Sequence, residues 1–210
     1  MAGVKPGVTY TNKQLFYGMM LPSGNDAARA LAHSNGGIKE TIAQMNEVAA
    51  SIGALDTVAK TPNGLDKKGQ HSSAFDLALI AMHGLQNPEF ATIVRAKKAP
   101  FPSEGGGTHP IYTNNHLLLG GYKGCIGVKT GFTTEAGRTF IGAATHYKCI
   151  HCFSECRNKF FRNTFLNKDA ICRSACRTTV THLGQNNSRN CFFNICIIKH
   201  DYRCISTKFH

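Results

Sequence analysis

The chain has 210 residues and a formal net charge of +12, enough length for one good core and enough positive charge to raise nucleic acid or an anionic surface as a partner. That charge is uneven: residues 1–146 hold 13 Lys and Arg against 9 Asp and Glu, whereas residues 147–210 hold 11 against 3. No run of about 18 apolar residues occurs, which excludes a membrane-spanning helix, and Met1-Ala2-Gly3-Val4-Lys5-Pro6-Gly7 lacks the apolar stretch of a signal peptide.

Thr11 and Gln14 stand at capping-box spacing before Leu15, Phe16, Met19 and Met20. This predicts an amphipathic helix of about ten residues that Pro22 ends. Ser23-Gly24-Asn25-Asp26 follows, then Ala27-Ala28-Arg29-Ala30-Leu31-Ala32. It is either a tight turn, with Asn25 or Asp26 capping the second helix, or a functional Ser and Asn side by side at a cleft. After Gly36-Gly37, the positions Ile38, Ile42, Met45, Val48, Ala49 and Ile52 mark one face of a third helix that Gly53 stops. Thr57-Val58-Ala59-Lys60 reads as a short strand, and Thr61-Pro62-Asn63-Gly64-Leu65-Asp66 as a turn. Ser72 or Ser73 caps a helix through Met82, and Asn87-Pro88-Glu89 starts a shorter one. The stretch 96–123 reads as loop-rich, and two strands are expected at about 125–131 and 138–145. Helices first and strands last point to an α+β layer fold rather than a βαβ series.

His33, His71, His83, His109 and His116 are scattered without ligand spacing, so no metal is expected in this part. Ser103-Glu104-Gly105-Gly106-Gly107 is not a phosphate loop, since no Lys-Ser/Thr follows it. Lys129-Thr130-Gly131 follows the apolar Ile126 and Val128 and offers a cation, a hydroxyl and a position without a side chain. On an edge strand such a trio can hold a carboxylate; it is equally the pattern of a hairpin strand with a solvated Lys and a turn Gly.

Four stretches taken together resemble the penicillin-binding, serine-type D-alanyl-D-alanine carboxypeptidases: Leu21 to Ala28, Pro62 to Asp66, His71 to Ala78, and Gly127-Val128-Lys129-Thr130-Gly131-Phe132-Thr133 with Glu135-Ala136-Gly137. They stand in the family's order over about residues 8–146. The resemblance implies a penicillin-binding and β-lactamase-like fold with helices and an antiparallel sheet. It implies trimming of the terminal D-alanine from peptidoglycan stem peptides through an acyl-enzyme, with β-lactams as inhibitors, no cofactor and no nucleic acid. It places a full-length member outside the cytoplasm, at the cell wall or the outer face of the membrane. Ser23 would relay a proton to the leaving amine, and Asn25 would hold the acyl-side amide. Lys129 and Thr130 would bind the terminal carboxylate, Gly131 would let the substrate approach, and the Phe132 N–H would donate to the oxyanion. No Glu is placed to activate a deacylating water, so a β-lactamase fits less well.

The family's first motif, Ser-x-x-Lys, is not found: none of the ten serines has Lys three residues later. The expectation is that the chain begins inside the domain and by itself forms no stable acyl-enzyme.

After His146 the composition changes. Residues 147–210 hold eight of the nine cysteines, one of the 21 glycines and none of the seven prolines. Cys149, His151, Cys152, Cys172 and Cys176 are candidate ligands of a zinc or redox module, which if basic could bind nucleic acid. A disulfide framework is a second possibility. A lost reading frame or an unrelated fusion is the third and the favoured one, because few normal turn signals remain. The expected division is a partial catalytic domain at 1–146 and an irregular, basic, Cys-rich tail at 147–210. A sheet left short would expose edges and core, giving marginal stability.

Overall fold

The computed structural model describes residues 1–146 and the backbone of three later strands, Cys149–Cys156, Asn194–Ile198 and Cys204–Thr207. The first helix, α1 (Asn12–Met20), opens on the expected capping box. Thr11 Oγ1 accepts from the Gln14 N–H at 3.2 Å, and Gln14 Oε1 accepts from the Thr11 N–H at 2.8 Å. Two of the orphan N–H groups of a helix start are met this way. Leu21 closes α1, and its N–H reaches Tyr17 O. Helix α2 (Asn25–Ser34) follows after the four residues 21–24, then α3 (Ile38–Ser51), entered at Gly37. Ser73 caps α4 (Ala74–Leu85) and Asn87 caps α5 (Pro88–Arg95). The short strand expected near residue 58 is a single bridge, Val58 to His71.

The stretch 96–123 is more ordered than its composition suggests. Strands β1 (Lys98–Pro102) and β2 (Thr108–Tyr112) form a two-stranded antiparallel hairpin, with Pro100 opposite Pro110. Gly105, Gly106 and Gly107 all sit at positive φ in its turn. Prolines are tolerated because a two-stranded ribbon has only edges. The inward positions Ala99, Phe101 and Ile111 carry the hairpin into a core with Leu15, Leu21, Ala27 and Ile93. Phe101 is fully buried, which stabilises the fold by roughly 2–3 kcal/mol. A short helix, α6 (His116–Leu119), leads to the main sheet.

Strand β3 (Cys125–Thr133) pairs antiparallel with β4 (Gly137–His146), matching both expected strands. The sheet runs β3-β4-β5-β6-β7, with β5 (Cys149–Cys156), β6 (Asn194–Ile198) and β7 (Cys204–Thr207) added at the backbone level. All neighbours run antiparallel except β5 and β6, which run parallel. The sheet therefore does not stop at residue 146: β5 covers the edge that β4 would otherwise leave open, and open edges invite pairing. The candidate ligands Cys172 and Cys176 lie outside the described residues. Among the described residues no helix is long and apolar enough to cross a membrane.

A second core joins helices to sheet. Ala81 and Leu85 of α4 and Val94 of α5 pack on Ile126 and Val128 of β3 and Ala143 of β4. This packing fixes where β3 lies against the helical layer, and it leaves β3 at the sheet edge with no strand partner on its outer side among the described residues.

Candidate active site

The turn between α1 and α2 carries the first candidate residues. Ser23 is the one non-glycine residue with positive φ among the described residues, at 58°. A residue with a Cβ takes this conformation at a cost and keeps it only where its surroundings enforce it. The expectation that Asn25 or Asp26 caps α2 is corrected: the N-cap is Gly24, without a side-chain cap bond. Asn25 is the first helical residue, and its carboxamide makes no hydrogen bond to the described residues. Asp26 turns its carboxylate to another segment, accepting from the N–H groups of Ala2 (2.9 Å), Gly3 (2.8 Å) and Val4 (3.0 Å). Burial opposes ionisation of Asp26, but these donors and the Ala27 N–H outweigh it and hold its pKa below the ordinary value.

Strand β3 supplies the second set. Ile126 and Val128 anchor it in the core, and from residue 129 onward it rises to the surface. Lys129 Nζ donates to Ser23 Oγ, across 106 residues of sequence, and to the carbonyl of Thr130 at 2.7 Å. Burial lowers the Lys129 pKa from 10.5 to about 8, because a low-dielectric site disfavours the charged ammonium. The Thr130 hydroxyl makes no hydrogen bond to the described residues. Phe132 is 65% exposed, with the guanidinium of Arg138 5.5 Å over its ring. Opposite Gly131 stands Thr139 of β4, whose Oγ1 fills the place a Gly131 Cβ would take.

Ser23 and Lys129 are thus brought into contact, at the junction of the α1–α2 turn and the exposed strand edge. A cation sits beside a hydroxyl it polarises, and Asn25 and Thr130 leave a carboxamide and a second hydroxyl without partners among the described residues. Such a set can bind an anion and steer a proton through the Ser23 hydroxyl.

The other two stretches carrying the resemblance do structural work. Gln70 Oε1 accepts from the N–H groups of Lys60 and Thr61 and from the Thr61 hydroxyl, and its Nε2 donates to Leu65 O, which closes the 61–70 loop. Buried Asp76 accepts from the Thr57 hydroxyl at 2.7 Å, tying the segment before that loop to α4. His109 Nδ1 pairs with the Ser103 hydroxyl at 3.0 Å and His71 Nδ1 with Gly69 O at 3.1 Å. Among the described residues no three His, Cys, Asp or Glu side chains gather as metal ligands. Asp26 and Thr139 were not candidates from sequence. Asp26 reads from sequence as a helix cap, and a strand Thr carries no signal of what faces it.

The family profile of D-alanyl-D-alanine carboxypeptidases matches residues 2–150. The D-alanyl-D-alanine carboxypeptidase DacB2 of Mycobacterium tuberculosis is 49% identical over 144 residues, covering 68% of this chain and 49% of that protein. A D-alanyl-D-alanine carboxypeptidase of a Streptomyces species is 36% identical over 150 residues, covering 66% of this chain and 52% of its own. The chain therefore spans about half the length of these relatives. Among solved structures, a D-alanyl-D-alanine carboxypeptidase of Mycobacterium tuberculosis superposes with a TM-score of 0.74 at 39% identity, over 88% of this chain and 71% of that one. A Streptomyces DD-transpeptidase superposes with a TM-score of 0.73 at 31% identity, over 80% of this chain and 69% of that one.

Proposed function

The chain belongs to the D-alanyl-D-alanine carboxypeptidase family, and we propose that residues 1–146 carry the carboxylate-binding and proton-relay half of a serine D,D-peptidase site. The substrate is a peptidoglycan stem peptide ending in D-Ala-D-Ala, and β-lactams compete for the same place. The work is done outside the cytoplasm, at the wall. The contact between Lys129 Nζ and Ser23 Oγ is the observation that carries this. It joins the two stretches that the family's chemistry requires side by side.

In this proposal Lys129 and the free Thr130 hydroxyl take the terminal carboxylate of the peptide. The Asn25 carboxamide holds the acyl-side amide. The Ser23 hydroxyl, polarised by Lys129, passes a proton to the leaving amine. The Phe132 N–H faces the oxygen on which charge develops, and Gly131 keeps the strand edge low enough for the peptide to lie along it. Nucleophilic attack needs a serine activated by a base. No serine of the 210 residues has Lys three positions on, so this chain by itself is a binder without turnover. A wall-peptide binder without catalysis uses the same four side chains and differs only in needing no nucleophile from elsewhere.

The test is titration of the 210-residue chain with diacetyl-Lys-D-Ala-D-Ala by calorimetry, beside intact-mass analysis after benzylpenicillin. We expect measurable peptide binding, at least about tenfold weaker in Lys129→Ala, and no covalent mass gain. Equal binding by the wild type and Lys129→Ala would remove the carboxylate role. A stoichiometric penicilloyl adduct would show a nucleophile within the chain and overturn the proposed lack of turnover.

A further inference from the structure

We propose that Asp26 is a positioning residue for the Ser23–Asn25 turn. Its carboxylate fixes residues 2–4 as the wall against which the turn is held. The inference rests on the assignment of Ser23 and Asn25 to the peptide site.

Three consecutive backbone N–H groups, of Ala2, Gly3 and Val4, converge on this one carboxylate. Charge-assisted bonds of this kind are among the stronger ones a protein makes. They pin Ala2 at 3% exposure in the core beside Leu15, Leu21 and Ala27. Pinned there, Ala2 closes the space around the turn. A Cβ on Gly24 would meet Ala2 Cβ at 2.7 Å, Gly18 O at 2.7 Å and Asp26 Oδ1 at 2.8 Å. On the other side the Gly24 N–H donates to Gly18 O at 3.0 Å. Gly24 is therefore clamped between helix α1 and the 2–4 segment.

Ser23 comes immediately before it, in a backbone conformation that a serine leaves when it is free to do so. The clamp on Gly24 enforces that conformation from the C-terminal side, and Asp26 holds the clamp shut. Release of Ala2 gives Gly24 room, and Ser23 can then relax toward negative φ. That rotation takes its hydroxyl away from Lys129 and re-aims Asn25. Asp26 touches no substrate in this arrangement and acts only through the turn.

The test compares amide spectra and hydrogen exchange of the full chain with those of Asp26→Asn, Ala2→Gly and Asn87→Ala. The last removes the α5 cap and serves as a control for lost stability alone. In Asp26→Asn we expect the Ser23, Gly24 and Asn25 amides to shift and the Gly24 amide, bonded to Gly18 O, to exchange at least about tenfold faster, while α4 and α5 keep their protection. Binding of diacetyl-Lys-D-Ala-D-Ala should weaken in parallel, and Asn87→Ala should leave the turn amides in place. If residues 2–4 lose protection while Ser23–Asn25 stay at their wild-type positions, the proposal is overturned. Should Asp26→Asn fail to fold, Ala2→Gly decides by the same readout: moved turn amides support the clamp, and unmoved ones overturn it. A wild type that binds no peptide counts against the site assignment only, since the amide readout needs no ligand.

Discussion

Lys129 and Ser23 pull against the stability of the fold they sit in. The Lys129 ammonium is held in a buried place that lowers its pKa from 10.5 to about 8. Below about pH 8 the folded chain must carry that charge without full hydration, whereas the unfolded chain carries it in water. Between pH 8 and 10.5 the unfolded state binds the extra proton, so stability contributed by this group rises with pH across that window. The span is on the order of 3 kcal/mol, and Lys129→Met should flatten it in urea titrations taken from pH 7 to 10.5. Peptide binding runs the other way, since a carboxylate needs the charged form; affinity should fall above pH 8 as stability climbs. A rise of both together would mean that Lys129 is not the anion's partner. Ser23 shows the same opposition in its backbone. Ser23→Gly removes the strain of the positive φ and should stabilise by up to about 1 kcal/mol in urea midpoints, while losing the hydroxyl and with it peptide binding. A midpoint that drops would mean the hydroxyl–ammonium contact outweighs the strain.

At the level of elements, the β3–β4 hairpin is set by a fit between one absent side chain and one present. Thr139 Oγ1 occupies the Cβ place of Gly131, while Thr139 Cβ lies 3.8 Å away, at ordinary contact distance. Gly131→Ala should therefore cost roughly 1–3 kcal/mol in the wild type and much less in a Thr139→Ala background, a coupling that a double-mutant cycle in urea measures. Additive costs would show that Gly131 is needed for something other than Thr139. Helices α1, α4 and α5 were legible from sequence because their signals are local: Thr11 with Gln14, Ser73, and Asn87 before Pro88. The β1–β2 hairpin was not, because Pro100, Pro102 and Pro110 speak against strands, and only the burial of Phe101 and Ile111 overrides them. The start of α2 was misread for a related reason. Asp26 has every property of a cap, and a tertiary demand from residues 2–4 takes it instead.

For the whole molecule, the pairing of Ser23 with Lys129 could be anticipated only through the resemblance, since no periodicity links positions 106 apart. The edge of β3, unpaired among the described residues, and the exposed Phe132 on it form a surface suited to self-pairing. Concentration-dependent scattering is expected, and Phe132→Lys should reduce it; unchanged scattering would place the contact elsewhere. The long separation between the two halves of the site also bears on how the chain reaches its fold. The α1–α2 pair can form from contacts close in sequence, whereas β3 must travel back across six intervening elements before Lys129 meets Ser23. Closing so large a loop is entropically slow. The site is thus expected to assemble after the α1–α2 pair. A peptide seated in it would act as a late rivet, holding two distant parts of the chain together and drawing the folding equilibrium toward completion by mass action.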